Sequence, residues 1–166
     1  MTGDNIRIRR AEERDLPLIL DFIEGLAEYE RLRDSCVATE AKLKQTLFGD
    51  RPAAEVIIAS VDETPMGFAL FFHNYSTFLA QRGIYLEDLF VKPEGRGHGV
   101  GYALLSELAR IAIERDCGRL EWAVLDWNQL AIDFYTRIGA KPLSDWQIFR
   151  MTDGPLHELA AHSSKV

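Results

Sequence analysis

The stretch VKPEGRGHGVGYALL, Val91–Leu105, sets four glycines at alternate positions, Gly95, Gly97, Gly99 and Gly101, between a strand-like run and a helical one. Glycine weakens strands and helices alike, because it adds backbone entropy and contributes no side chain to packing. Such a run is tolerable where the backbone itself has a task. Two glycine signatures can be tested by register. A dinucleotide fingerprint G-x-G-x-x-G fails from every start, since its last position holds Val100, Tyr102 or Leu104. A P-loop fails because no Gly-Lys-Ser/Thr follows. Their shared physics survives: without Cβ atoms, backbone N–H groups can turn toward an anion at a helix N-terminus. Arg96 and Lys92 bring positive charge to the same neighbourhood. The run is read as a phosphate cradle, suited to a pyrophosphate.

The rest of the chain supplies the scaffold. NIRIRRA alternates apolar and charged residues, as a half-buried strand does. Asp15 then precedes Leu16, Ile19, Leu20, Ile23, Leu26 and Ala27, which mark one helix face, with Asp15 as its N-cap. A shorter helix is predicted from near Thr39, carrying Leu43, Leu47 and Phe48. EVIIASV and MGFALFFHNY read as strands joined at DETP in a hairpin, and IYLEDLFV follows as a third strand. After the glycines, Ala103, Leu104, Leu108, Ile111 and Ala112 recur at helical spacing. RLEWAVL reads as a strand, NQLAIDFYTRI as a helix closed by Gly139, and DWQIFRM as a last strand. Residues from His157 onward are read as a loosely held tail. Three adjacent strands followed by alternating helix and strand predict an α/β chain, a mixed sheet of about six or seven strands flanked by about four helices. No linker or internal repeat divides residues 1–166, which are read as one domain.

Composition narrows the function. A formal net charge of -7 disfavours a nucleic-acid binder, whose phosphate affinity needs a cationic field. The same acidity suits a cationic partner. Cys36 and Cys117 lie far apart and without metal spacing, and are read as reduced thiols. No apolar run nears the roughly 18 residues of a membrane span, and Met1–Arg10 has no signal-peptide core. No membrane and a cytoplasmic location are the expectation.

Arg96-Gly97-His98-Gly99-Val100-Gly101 resembles the R/Q-x-x-G-x-G/A signature of the GNAT superfamily of N-acetyltransferases, and the element order over about residues 5 to 152 resembles the family fold. IYLEDLFV, WNQLAIDFYTRIGA and LAEYERL are similar to segments of the diamine (spermidine/spermine) and thialysine acetyltransferase subfamily. The resemblance implies acetyl-coenzyme A as cosubstrate, a small primary amine as acceptor, a homodimer and no metal. It implies that Arg96, Gly97, His98, Gly99, Val100 and Gly101 hold the pyrophosphate. The backbone of Leu89, Phe90 and Val91 would pair with pantetheine amides. Asn128, a plausible helix N-cap in its own right, would lie near the pantetheine or pyrophosphate.

Within that resemblance Tyr135 matches the tyrosine that donates a proton or hydrogen bond to the departing coenzyme A sulfur. A tyrosine pKa near ~10 exceeds a thiol pKa near ~8.5, so full transfer is uphill by about 2 kcal/mol and a hydrogen bond to the thiolate suffices. Glu87 looks like the subfamily's general base, needed because an amine of pKa near ~10 arrives protonated. Adjacent residues on a strand face opposite ways, so Glu87 and Asp88 are expected not to serve one site together, and Glu87 is favoured. Tyr29 and Glu30 look like positions lining the amine side, near the further acids Glu24, Glu28 and Asp34. The loop YSTFLAQRG departs from the polyamine enzymes, which commonly carry an acid and a tryptophan there. That departure leaves the acceptor open between diamines, polyamines and thialysine-like amines. Acetylation of an amino acid, aminoglycoside or protein amino group, or silent acyl-coenzyme A binding, stand as alternatives.

Overall fold

The computed structural model describes residues 5–163. The chain forms two compact units, Met1–Ala123 and Val124–Val166. The first contains a five-stranded sheet in sequence order, β1 (Ile6–Arg10), β2 (Glu55–Val61), β3 (Thr64–Ser76), β4 (Gln81–Val91) and β5 (Leu120–Trp122). The first four strands are antiparallel neighbours, and β5 runs parallel to β4. The β2–β3 hairpin turns at Asp62 and Glu63, both at positive φ (45° and 70°), which matches the twist of the flanking strands.

Each sheet face takes its own helical cover. On one, α1 (Leu16–Tyr29) and α2 (Glu40–Phe48) bury Ile19, Phe22 and Leu47 against Val56, Ile58, Phe68 and Phe90. Phe22 stacks on Phe68 at 5.3 Å and meets Phe90 edge-on at 6.4 Å. On the other, α3 (Val100–Glu114) buries Leu104, Leu105, Leu108 and Ile111. Thr39 caps α2, accepting from the Lys42 N–H at 3.3 Å. Asp15 does stand at the N-cap of α1, yet its carboxylate caps nothing there. It accepts both guanidinium branches of Arg9 at 2.7 Å and the Glu12 N–H at 2.8 Å. The ion pair outbids the cap because it satisfies a buried charge from three sides.

The second unit holds α4 (Gln129–Arg137) and α5 (Asp153–Ala161). Gly139 (φ 93°) ends α4 as expected: its N–H reaches Thr136 O and the Ala140 N–H reaches Tyr135 O, a Schellman closure. The predicted last strand, DWQIFRM, has no strand structure, and β5 is shorter than RLEWAVL. Apolar alternation describes a surface that could be half-buried, and a strand also needs a ladder partner. Residues from His157 to Ala161 lie in α5, whose side chains are exposed, and residues 164–166 lie outside the described residues. Among the described residues no helix is long and apolar enough to cross a membrane.

Candidate active site

The register of β4 decides which side chains meet. Pairing with β3 runs from Gly67↔Val91 to Leu70↔Asp88 and resumes at Phe71↔Leu86, so Glu87 is the extra residue of a β-bulge. Leu70 packs into the α1-side core, and its partner Asp88 shares that face. Phe71 is the next residue and faces the other way, as does its partner Leu86. Leu86 and Asp88 are two apart and yet lie on opposite faces. The strict alternation expected to separate Glu87 from Asp88 is therefore broken at this point, because the bulge inserts a residue.

Electrostatics agrees with that geometry. Burial pushes the half-buried Asp88 up to about 6, with Glu87 and then Glu30 adding to the rise. Tyr85, paired with Phe72 on the α1 face, is raised by burial first and then by Glu87 and Glu121. Glu30, at the C-cap of α1, is raised by burial. The fold thus gathers Glu30, Glu87 and Asp88 into one field, with Glu87 the exposed member. Tyr85 was missed by sequence reasoning, although its place two residues before Glu87 was the available signal.

The bulge also lies where the sheet parts. The parallel β4–β5 ladder runs Ile84↔Leu120, Tyr85↔Glu121 and Leu86↔Trp122, and stops there. From Asp88 to Val91, β4 is held by β3 alone among the described strands. Leu89, Phe90 and Val91 thus present backbone on the side where β5 has ended, with the Phe90 ring buried in the α1-side core.

Past Val91 the chain makes a short 3-10 turn, Pro93–Gly95, and the loop into α3. Gly97 and Gly99 adopt φ of 81° and 82°, a region costly for any residue with a Cβ. Gly95 is there for space: a Cβ would stand 2.9 Å from Met66 Cβ. Gly99 is the N-cap of α3, so Val100 and Gly101 open the helix with N–H groups that have no intrahelical acceptor. Around Gly97 a Cβ would find nothing within 4 Å, and His98 is exposed at the loop tip. Arg96 donates from Nε to Val91 O at 3.1 Å, and its guanidinium lies 5.0 Å over the Tyr29 ring. Tyr29 therefore touches the glycine loop's arginine. Lys92 turns to α1, pairing with Asp21 at 2.9 Å over the Phe22 ring. Of the other α1 acids, Glu24 is engaged by Arg33 at 2.8 Å.

Asn128 and Tyr135 belong to the second unit. Asn128 is the N-cap of α4, its Oδ1 accepting from the Ala131 N–H at 3.3 Å. Tyr135 lies in the last turn of α4, half-buried, with its ring 5.5 Å from that of Phe134.

The sheet thus parts beside a bulged strand, and a glycine loop beyond it feeds a helix N-terminus. The Acetyltransferase (GNAT) family model matches residues 23–140, and the chain belongs to that family. It is an N-acetyltransferase, and its family uses acetyl-coenzyme A. The chain is 38% identical over 166 residues to the thialysine N-epsilon-acetyltransferase of Bos taurus, covering 93% of this chain and 97% of that protein. It is 34% identical over 198 residues to the L-ornithine N5-acetyltransferase NATA1 of Arabidopsis thaliana, covering 92% and 87%. Among solved structures, an integron cassette protein from the mobile metagenome of V. cholerae superposes with a TM-score of 0.79 at 31% identity, covering 95% of this chain and 99% of that one.

Proposed function

We propose that the protein transfers the acetyl group of acetyl-coenzyme A to a primary amine of a small cationic acceptor of the thialysine, ornithine or diamine kind. One observation carries this reading: the bulge gathers Glu30, Glu87 and Asp88 at the end of the β4–β5 ladder. A cationic acceptor is drawn there by ordinary Coulomb attraction. The named activities of the bovine and plant relatives, both acting on amines of amino-acid-like molecules, support it.

The cosubstrate supplies the activated acyl carbon, and the residues present fit it. The N–H groups at Val100 and Gly101, with Arg96, His98 and the left-handed Gly97 and Gly99, would hold the pyrophosphate. Backbone groups of Leu89 to Val91 would align the pantetheine, and Asn128 would support it while capping α4. The bulge carboxylates take one proton from the acceptor's ammonium, leaving its nitrogen lone pair to attack the acyl carbon. As the C–N bond forms the C–S bond breaks, the Tyr135 hydroxyl donates a hydrogen bond to the sulfur that leaves, and the nitrogen's second proton ends on that sulfur to give the free thiol. No residue of the chain is acylated in this sequence. The enzyme's share is positioning and electrostatics. We infer further that one acetyltransferase domain, spanning both compact units as the family match does, works as a cytoplasmic homodimer.

Thiol release measured over a panel of thialysine, ornithine, diamines, spermidine and aminoglycosides tests the reading. Turnover is expected with the first three. Tight acetyl-coenzyme A binding without turnover of any amine would refute it.

A further inference from the structure

We propose that the acceptor is an α-amino acid with a side-chain amine, its zwitterionic head held by Arg119 and Glu121 while the amine reaches the bulge acids. The inference rests on the proposed amine acetylation and names the class of amine that the same site takes.

The head site starts from a glycine. Gly83 on β4 pairs with Asn74 on β3, and a Cβ there would overlap Asn74 Oδ1 and stand 3.1 Å from Arg119 Cγ. With no side chain between them, β3 and β5 meet across β4: Asn74 Nδ2 donates to Glu121 Oε2 at 2.8 Å. Arg119, the residue before β5, pairs through Nε with the same oxygen at 3.0 Å. Glu121 Oε1 and both terminal nitrogens of Arg119 therefore have no hydrogen-bond or ion-pair partner among the described residues. Open valences of both signs stand side by side, as a zwitterion requires. Its ammonium donates to Glu121, and its carboxylate accepts from the guanidinium fork.

The head site lies on the face and at the distance that the amine needs. Glu121 is level with Tyr85 in the parallel ladder, and Tyr85 with Phe72 in the antiparallel one. Phe72 and Tyr85 are half-buried, ring to ring at 5.3 Å, one same-face step beyond Leu70, where the α1-side core ends. That step leads to the Leu70↔Asp88 row, about 7 Å along the strand. A chain of ornithine or lysine length spans about 5–6 Å from its α-carbon to its amine. One molecule thus joins the two ends, with its methylenes over the two rings. Tyr85 lies between them, raised by burial first and then by Glu87 from one end and Glu121 from the other. A diamine would bring a second ammonium against the Arg119 guanidinium, which favours a carboxylate there.

Thiol release at saturating acetyl-coenzyme A is compared for ornithine, its decarboxylated analogue putrescine and its deaminated analogue 5-aminopentanoate. Wild type is expected to favour ornithine over each by roughly 10-fold or more in kcat/KM, mostly through KM, with acetylation on the side-chain amine. Arg119→Gln should lower the ornithine-to-putrescine ratio by about 10-fold, and Glu121→Gln the ornithine-to-5-aminopentanoate ratio by as much. Arg119→Lys keeps the charge and loses the fork, and its ratio should fall between those of wild type and Arg119→Gln. Equal use of ornithine and putrescine by wild type overturns the assignment, as do wild-type ratios in both glutamine variants. An Arg119→Lys ratio equal to that of wild type would show bulk charge in place of contact, and overturns it too. Failure of wild type to acetylate any amine would instead overturn the proposed activity. Calorimetric binding of ornithine and putrescine to the coenzyme A complex would still read the head site.

Discussion

Replacing Gly99 by alanine separates two reasons for a glycine that otherwise look alike. Gly99 caps α3 at φ 82°, and a Cβ placed there would meet only Ile6 Cδ1, at 3.9 Å. No steric clash contributes, so the cost is torsional, about 1–2 kcal/mol for an L-residue in the left-handed region. The loss of unfolded-chain entropy on Gly→Ala returns about 0.4–1 kcal/mol. The net loss is then about 0.5–1.5 kcal/mol, or a Tm lower by roughly 1–6 °C for a chain of this size. Gly99→Asn, which tolerates that backbone region, should fall by less than half as much. Gly95→Ala meets Met66 Cβ at 2.9 Å and Val91 Cγ1 at 3.3 Å, and should cost more through displaced packing. Scanning calorimetry at one protein concentration, with acetyl-coenzyme A titrated calorimetrically into each variant, reads both stability and cradle. Equal Tm values for Gly99→Ala and Gly99→Asn, or no change in either, would refute the torsional account.

Three further outcomes are expected. The Arg9 guanidinium, and next the Glu12 N–H, hold the Asp15 carboxyl below its ordinary range, so its contribution is full above about pH 4 and fades as pH falls through the lowered value. Asp15→Asn should cost about 1–2 kcal/mol at neutral pH and flatten the acid side of the denaturation-against-pH curve. Tyr135→Phe should lower kcat with acetyl-coenzyme A affinity unchanged, the gap between the two shrinking with an acyl donor whose thiol is more acidic, as stopped-flow thiol release would show. Tyr29→Leu removes the ring beneath Arg96 and should raise the KM for acetyl-coenzyme A several-fold, an effect absent in an Arg96→Ala background.

How far the sequence alone leads depends on whether a pattern carries its own partner. Helix α2 was legible because Thr39 and the Leu43/Leu47 spacing are local, and α4 because both its caps, Asn128 and Gly139, are local too. The glycine run was legible for the same reason: left-handed φ at Gly97 and Gly99 is a property of the backbone at those positions. What required the structure was pairing. DWQIFRM alternates like a strand, but alternation does not provide a ladder, and Asp15 stands where a cap belongs but is taken by Arg9. The bulge is the sharpest instance. IYLEDLFV reads as one uninterrupted strand, and only its register with β3, which skips Glu87, shows that Leu86 and Asp88 face opposite ways. The acids of the candidate site were therefore nameable from sequence, whereas their placement was not. That placement depends on which of two adjacent carboxylates is held in the ladder and desolvated, a question of long-range pairing that the eight residues IYLEDLFV do not answer by themselves.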